Sequence, residues 1–139
     1  MTGNNFHTTQ FRVRYKDTDR MGFVYYGNYL TYFEVARSDY MRNLGVPYSS
    51  LEKNGYSLVV VEAKAKYHAN AGYDTLISVR SKITEIKRVK IRFDYEVLDE
   101  KEKLLVSGYT VHACLNSSQR PQRIPQELFR ALEAMNSLP

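Results

Sequence analysis

The chain has 139 residues, 43% of them hydrophobic, and a formal net charge of +5, which suits one domain with one core. We therefore expect residues 1–139 to form a single domain. Cys114 is the only cysteine, so an intrachain disulfide framework is excluded. No stretch approaches the roughly 20 apolar residues that span a bilayer, and residues 1–10 are too polar for a signal peptide. These features predict a cytoplasmic protein without a membrane span.

The first predicted elements are a strand and a long helix. Apolar and basic residues alternate over residues 8–16, and this period of two predicts a strand. Over residues 28–43 apolar side chains recur every three or four positions, which predicts a helix of about four turns. Gly45 and Pro47 then mark the end of the helix, because both are common just beyond a helix terminus.

Strand patterns dominate the rest of the chain. After a short segment containing Leu51, strands are predicted over residues 59–68, 77–83, 91–97 and 105–115, with a possible bulge at Gly108. In the first of these, one face is predicted to carry Val59, Val61, Ala63, Ala65 and Tyr67. Pro125 is placed to begin a short last helix. The order lacks the regular strand–helix alternation of parallel α/β proteins and predicts an α+β fold, with an antiparallel sheet covering one helix.

The segment over residues 17–29, which joins the first strand to the helix, holds the candidate site. Asp17 and Asp19 stand two positions apart at the strand end, and Gly22 and Gly27 permit backbone conformations that bulkier residues resist. A carboxylate here would face the unpaired amides at the helix start, a place that stabilises developing negative charge. On spacing alone, a turn and a helix cap are the more ordinary roles for both aspartates.

This segment, together with Phe-Glu-Val-Ala-Arg at residues 33–37, resembles the signature of the 4-hydroxybenzoyl-CoA thioesterase and Tol-Pal-associated thioesterase family. The resemblance implies the hotdog fold and hydrolysis of an acyl-CoA. It implies that Asp19 attacks the thioester carbonyl or activates water as a general base, while the backbone amide of Tyr26 polarises that carbonyl. Gly27 and Asn28 are implied to bind substrate. Many relatives have histidine where Tyr26 stands, a change that keeps the amide.

Four basic residues, Lys87, Arg88, Lys90 and Arg92, surround the link between the third and fourth predicted strands. A solvated hairpin edge is one explanation for them. The family binds the nucleotide phosphates of coenzyme A with basic residues in the corresponding region, so the resemblance implies Lys87, Arg88 and Lys90 as phosphate-binding residues. It also implies a homo-oligomer, a dimer or a tetramer, and no cofactor, because coenzyme A is part of the substrate.

The remaining candidates have ordinary explanations. Asp17 is interpreted as orienting or structural, Glu34 as a helix-surface carboxylate paired with Arg37 or Ser38, and Cys114 as a packed thiol. The histidines, His7, His68 and His112, lack the spacing of metal ligands, so we expect no metal site.

Several functional alternatives stay open. The same chemistry can act on an aromatic acyl-CoA, such as a hydroxybenzoyl or dihydroxynaphthoyl thioester, or on an acyl-carrier-protein. A non-catalytic acyl-CoA binding protein would retain the fold without the activity. The pI near 9.3 and twelve tyrosines also suggest a nucleic-acid binder. We expect no nucleic-acid partner, because the cations are spread over several predicted strands.

Overall fold

The computed structural model describes residues 6–136 and consists of one sheet and three α-helices in that range. The elements are β1 (His7–Arg12), a 3-10 turn (Tyr15–Asp17), α1 (Asn28–Leu44), α2 (Tyr48–Lys53), β2 (Ser57–Tyr67), β3 (Leu76–Ile86), β4 (Lys90–Leu98), β5 (Leu104–Leu115) and α3 (Gln126–Asn136). All strand pairs are antiparallel, in the order β1-β3-β4-β5-β2. The long helix α1 packs on one face. This confirms the predicted α+β arrangement.

The packing of α1 on the sheet depends on Gly108. The ring of Phe33 on α1 stacks on Tyr95 of β4 at a centroid distance of 4.2 Å, and both side chains are buried. A Cβ atom at Gly108 would lie 2.2 Å from the Lys64 carbonyl oxygen and 2.9 Å from the Phe33 ring. The predicted bulge at Gly108 is wrong, because Gly108 pairs in regular register with Ala65. The glycine instead allows Phe33 to approach the sheet.

The first strand is shorter than predicted. β1 ends at Arg12 and a 3-10 turn follows, so the prediction of a strand to residue 16 is wrong. Val13 remains buried and donates its N–H to the Thr75 carbonyl, which preserves the apolar alternation for one more position. Tyr15, in contrast, is 77% exposed and packs edge-on against Tyr73 at the surface. An apolar residue in the pattern is therefore not always a core residue.

The strand β2 contains a bulge that changes which residues share a face. Val60 pairs with His112 and Glu62 pairs with Val111, so Val61 is an extra residue without a partner. The prediction that Val59, Val61 and Ala63 lie on one face is wrong, because the inserted residue shifts the alternation by one.

The helix boundaries follow local signals. α1 ends at Leu44, and Gly45, with a φ of 88°, caps the helix in the left-handed conformation, as predicted. α3 begins directly after Pro125, also as predicted. The segment around Leu51 forms the short helix α2, which the sequence pattern did not predict. None of the helices in the described part of the chain is long and apolar enough to cross a membrane.

Candidate active site

A tight loop between the 3-10 turn and α1 presents Asp19. Thr18 and Val24 form an antiparallel bridge, and the N–H of Asp19 donates to the Phe23 carbonyl at 2.8 Å. Gly22 lies at the turn with a φ of 84°, a left-handed conformation that favours glycine. The bridge holds Asp19 beside the segment that leads into α1, because bridged residues of antiparallel strands lie about 5 Å apart.

The Asp19 carboxylate has one anchored oxygen and one open oxygen. Its Oδ1 accepts the N–H of Met21 at 2.9 Å and that of Phe23 at 3.4 Å. Its Oδ2 accepts no hydrogen bond from residues 6–136, and the side chain is exposed. The turn therefore fixes the orientation of the carboxylate and leaves one oxygen available for chemistry.

Two backbone amides at the start of α1 are unpaired. The N–H of Asn28 donates to the Tyr25 carbonyl at 2.9 Å and that of Tyr29 donates to the Tyr26 carbonyl at 3.2 Å. Immediately before these two residues, the N–H groups of Tyr26 and Gly27 have no acceptor within residues 6–136. Neighbouring unpaired donors at the positive end of a 17-residue helix form a preorganised site for an oxyanion.

Asp17 ties the loop to α1. Its carboxylate accepts the hydroxyl of Tyr32 at 3.0 Å, and its carbonyl accepts both the N–H of Tyr25 and the side-chain amide of Asn28 at 2.9 Å. Burial raises the pKa of Tyr32, and the hydrogen bond to Asp17 raises it further. Asn28, predicted to bind substrate, thus uses one side-chain N–H to support the loop.

An aromatic wall stands beside the unpaired amides. The Tyr26 ring is 61% exposed and lies 4.7 Å from the ring of Tyr25 and 6.2 Å from that of Tyr67, measured between centroids. The Tyr67 hydroxyl donates to the Tyr26 carbonyl at 3.3 Å. The sequence analysis missed Tyr67 as a site residue, because 41 positions separate it from Tyr26 and nothing in the strand pattern sets it apart.

The predicted phosphate-binding residues lie far from Asp19 within one chain. The N–H of Val24 in the Asp19 loop donates to the Ala71 carbonyl, in the segment just before β3. The Asp19 loop therefore lies at the end of the sheet where β3 begins, which we call the loop end. Lys87 and Arg88 lie in the turn after β3 and Lys90 begins β4; all three are at the other end of the sheet, which we call the hairpin end. β3 has 11 residues, a span of about 33 Å. The structure therefore brings together Asp19, Tyr26, Gly27 and Asn28 only.

The turn at the hairpin end is exposed and basic. Lys87 pairs with Glu85 at 2.8 Å, and the Lys87 N–H donates to the Lys90 carbonyl. The Arg88 side chain is exposed and has no ion pair within residues 6–136, while its carbonyl accepts the N–H of Ile124. The backbone of this turn is thus fixed, and its cationic side chains reach into solvent.

Comparison with known proteins identifies the family. A model of the thioesterase-like superfamily matches residues 13–132. The acyl-CoA thioesterase YbgC of Haemophilus influenzae is 33% identical over 123 residues, covering 86% of this chain and 89% of that protein. The structure of a DHNA-CoA thioesterase from Staphylococcus aureus superposes with a TM-score of 0.86 at 31% identity, covering 94% of this chain and 93% of that one. The hypothetical protein TT1821 from Thermus thermophilus gives a TM-score of 0.87 at 35% identity, over 92% and 98%.

These matches show that the fold is the hotdog fold of thioester hydrolases, as the resemblance of residues 17–37 implied. The chain belongs to the thioesterase-like superfamily.

Proposed function

We propose that the protein hydrolyses an acyl-CoA thioester to a free acid and coenzyme A, with Asp19 as the reacting carboxylate. The observation that carries this function is the pair of unpaired amides at Tyr26 and Gly27, on the same loop as an Asp19 oxygen that has no partner. The thioester carbonyl oxygen would accept the Tyr26 N–H. An oxyanion donor of this kind contributes about 3 kcal/mol to transition-state stabilisation.

The chemistry needs few further groups. Asp19 either attacks the carbonyl carbon to form a mixed anhydride that water then hydrolyses, or removes a proton from an attacking water. In both routes the C–S bond breaks and coenzyme A leaves as a thiolate, which is then protonated from solvent. Because a thiolate is a good leaving group, the scheme requires no strong general acid. It uses no cofactor, and we place the reaction in the cytoplasm.

We further propose that the working unit contains two copies paired along β2. The outer edge of β2 has no partner strand within the described residues, and Val59, Val60 and Val61 are 37%, 47% and 53% exposed. An 11-residue edge strand with three consecutive exposed valines favours pairing with another strand. An antiparallel pair about the middle of β2 would set Tyr67 of one copy opposite Ser57 of the other. The loop end of one copy would then meet the hairpin end of the second.

This pairing resolves the separation between Asp19 and the basic turn. The nucleotide phosphates of coenzyme A would bind Lys87, Arg88 and Lys90 of one copy, while the thioester lies at Asp19 of the other. Each pair of copies would have two such sites, related by symmetry. A tetramer would be built from two of these dimers.

The first experiment measures thiol release from acyl-CoAs of increasing chain length by the unmodified protein and by Asp19→Asn and Asp19→Ala. We expect both variants to lose at least about a hundredfold in kcat/KM, about 2.7 kcal/mol of transition-state stabilisation. The matched control is Asp99→Asn. The Asp99 carboxylate also accepts N–H groups two and four residues ahead, those of Lys101 and Lys103, both at 2.9 Å.

Asp99 therefore performs the same turn-forming task as Asp19 without standing beside unpaired helix amides. We expect Asp99→Asn to retain activity. Near-parent rates in folded Asp19→Asn would reduce Asp19 to a turn residue and refute its catalytic role.

The second experiment tests the shared site. The double variant Lys87→Ala/Arg88→Ala should raise KM for a coenzyme A thioester and hardly affect a pantetheine thioester, which lacks the nucleotide phosphates. When this double variant is mixed with Asp19→Asn under conditions that let copies exchange, about half of the dimers should be mixed, and each mixed dimer contains one intact site out of two. The mixture should therefore recover about a quarter of the parent activity. No recovery in mixtures with proven exchange would place each site within one chain.

An aromatic acyl group is the second candidate substrate. The similarity to a DHNA-CoA thioesterase and the rings of Tyr25, Tyr26 and Tyr67 beside the amides favour it, since offset aromatic stacking adds about 1 kcal/mol to burial. Comparing kcat/KM for benzoyl-CoA and hexanoyl-CoA decides between the two. Tyr67→Leu should lower the aromatic preference if these rings contact the acyl group.

A further inference from the structure

A cavity lined by both polar and apolar side chains lies at the hairpin end of the sheet, away from Asp19. It has a volume of about 370 Å³ and lies between α1, α2 and the start of β2. Arg37 and Ser38 line it from α1, Tyr48 and Leu51 from α2, and Leu58 from β2. Most residues of this list are buried or half-buried. The cavity is thus a formed part of the fold that the proposed chemistry at Asp19 does not use.

Arg37 is a buried cation with a weak partner. The residue is only 9% exposed, although its spacing from Glu34 predicted a helix-surface pair. Glu34 is its only carboxylate partner within residues 6–136, at 3.8 Å, and the Glu34 side chain is 67% exposed. An ion pair with one solvated member compensates a buried guanidinium poorly. Arg37 therefore retains capacity for a better-placed anion.

Tyr48 provides a second unmet group in the same cavity. Its hydroxyl oxygen is buried and has no hydrogen-bond partner of good geometry within the described part of the chain. Burial raises the pKa of Tyr48, and the Arg37 charge opposes this rise, so the two groups are neighbours. A buried donor without a partner costs stability unless a ligand or water satisfies it. Together with Ser38, these groups make the cavity interior rich in donors.

We infer that this cavity binds a carboxylate at the far end of the acyl group, paired with the Arg37 guanidinium and accepting the Tyr48 hydroxyl. A guanidinium binds a carboxylate through two parallel hydrogen bonds, which a neutral acyl terminus cannot form. The acidic residues of the cavity, Glu34 and Glu52, are exposed. A bound carboxylate would replace Glu34 as the partner of Arg37, and Glu34 would turn to solvent.

The inference rests on the proposed function, because it assigns the acyl substrate of the same reaction. Within one chain Arg37 lies nine residues beyond the start of α1, about 14 Å along the helix axis. In the proposed dimer the cavity, which begins at Ser57 of β2, lies opposite the loop end of the second copy. The thioester would therefore react at Asp19 of one copy while its carboxylate tail occupies the cavity of the other.

Paired substrates of equal chain length test the inference: succinyl-CoA against butyryl-CoA and adipoyl-CoA against hexanoyl-CoA. We expect the unmodified protein to favour the carboxylated member of at least one pair tenfold or more in kcat/KM. Arg37→Gln should lower this ratio at least tenfold, and Glu34→Gln should raise it by removing the competing carboxylate. The control is Arg42→Gln, on the same helix but outside the cavity, with 61% of its side chain exposed. It should leave the ratio unchanged.

A binding measurement tests the cavity without relying on hydrolysis or on the folding of a single variant. Free hexanoate, whose carboxylate can pair with Arg37, should raise the thermal unfolding temperature of the unmodified protein more than neutral hexanamide does, and Tyr48→Phe should reduce that difference. If no acyl-CoA is hydrolysed but hexanoate still stabilises selectively, the proposed function fails and the cavity assignment stands. Equal kcat/KM within both substrate pairs, or equal shifts with hexanoate and hexanamide, would overturn the inference.

Discussion

Acidification should destabilise the protein through His112, which is buried in the sheet core. The residue is 1% exposed, and its Nε2 lies 2.9 Å from the Thr110 hydroxyl, which in turn lies 2.6 Å from the Tyr95 hydroxyl. Burial and then the positive charge of Arg37 lower the pKa of His112 from 6.5 to about 4. The folded protein therefore contains a neutral imidazole at pH values where the unfolded chain binds a proton.

The sign and size of the effect follow from this difference. Between pH 6.5 and about pH 4 the unfolded state holds one more proton at this position than the folded state, so stability falls as the pH decreases. At about 1.4 kcal/mol for each pKa unit, the full loss from His112 is about 3 kcal/mol. Below about pH 4 both states are protonated, and His112 contributes no further change.

Urea unfolding between pH 4.5 and pH 7.5, on the unmodified protein and on His112→Phe, measures this loss. Carboxylates contribute to acid sensitivity in both proteins and cancel in the difference. We expect the pH dependence of the unmodified protein to exceed that of His112→Phe by about 2–3 kcal/mol over this range. His68→Phe, at an exposed histidine, should retain the parent slope. Equal slopes for the unmodified protein and His112→Phe would refute a buried neutral imidazole.

Three other predictions concern stability. Gly108→Ala should lower the free energy of unfolding in urea by about 2–4 kcal/mol, because the added Cβ would lie 2.2 Å from a carbonyl oxygen. The control is Gly45→Ala, where the space is open but φ is left-handed, and it should lower the free energy of unfolding by about 1 kcal/mol. Equal losses in the two variants would contradict the close contact at Gly108. Tyr32→Phe removes the hydrogen bond to Asp17 and should cost about 1–2 kcal/mol while lowering thiol release far less than Asp19→Asn; a hundredfold loss would make Tyr32 part of the chemistry. The hydrogen bond from His7 lowers the pKa of Asp39, so the stability that Asp39 contributes is present above its unfolded pKa and is lost as the pH falls through its folded pKa. Asp39→Asn should therefore reduce the loss of stability on acidification by less than about 1 kcal/mol, since the pair is partly exposed. An unchanged loss of stability at low pH would exclude the contact.

The elements that the sequence predicted well are those with strong local signals. The apolar period of α1 and the glycine at its end specify the helix without reference to the rest of the chain. The bulge at Val61 depends instead on the pairing with β5, and the 3-10 turn after β1 is closed by local hydrogen bonds, neither of which alternation alone reveals. The short helix α2 contains only six residues and gives too little periodicity to detect.

The candidate site divides in the same way. Asp19 and Tyr26 are seven positions apart on one loop, so a local motif was enough to propose them together. The burial of Arg37 could not be predicted, because α2 and β2 cover it and their packing is not encoded in the spacing of α1. Nor does the sequence reveal that residues 87–90 lie at the far end of the sheet from Asp19, since that requires the strand order.

The exposed valines of β2 also bear on how the protein must be made. A newly folded copy presents the free outer edge of β2, with its three exposed valines, until it finds a second copy, and such an edge also recruits unrelated or misfolded chains. A substitution that weakens self-pairing without adding charge should therefore lower the yield of dispersed protein rather than give a stable monomer. A lysine at Val60 should give the opposite result, a dispersed chain that is inactive because its basic turn and its reacting carboxylate remain apart.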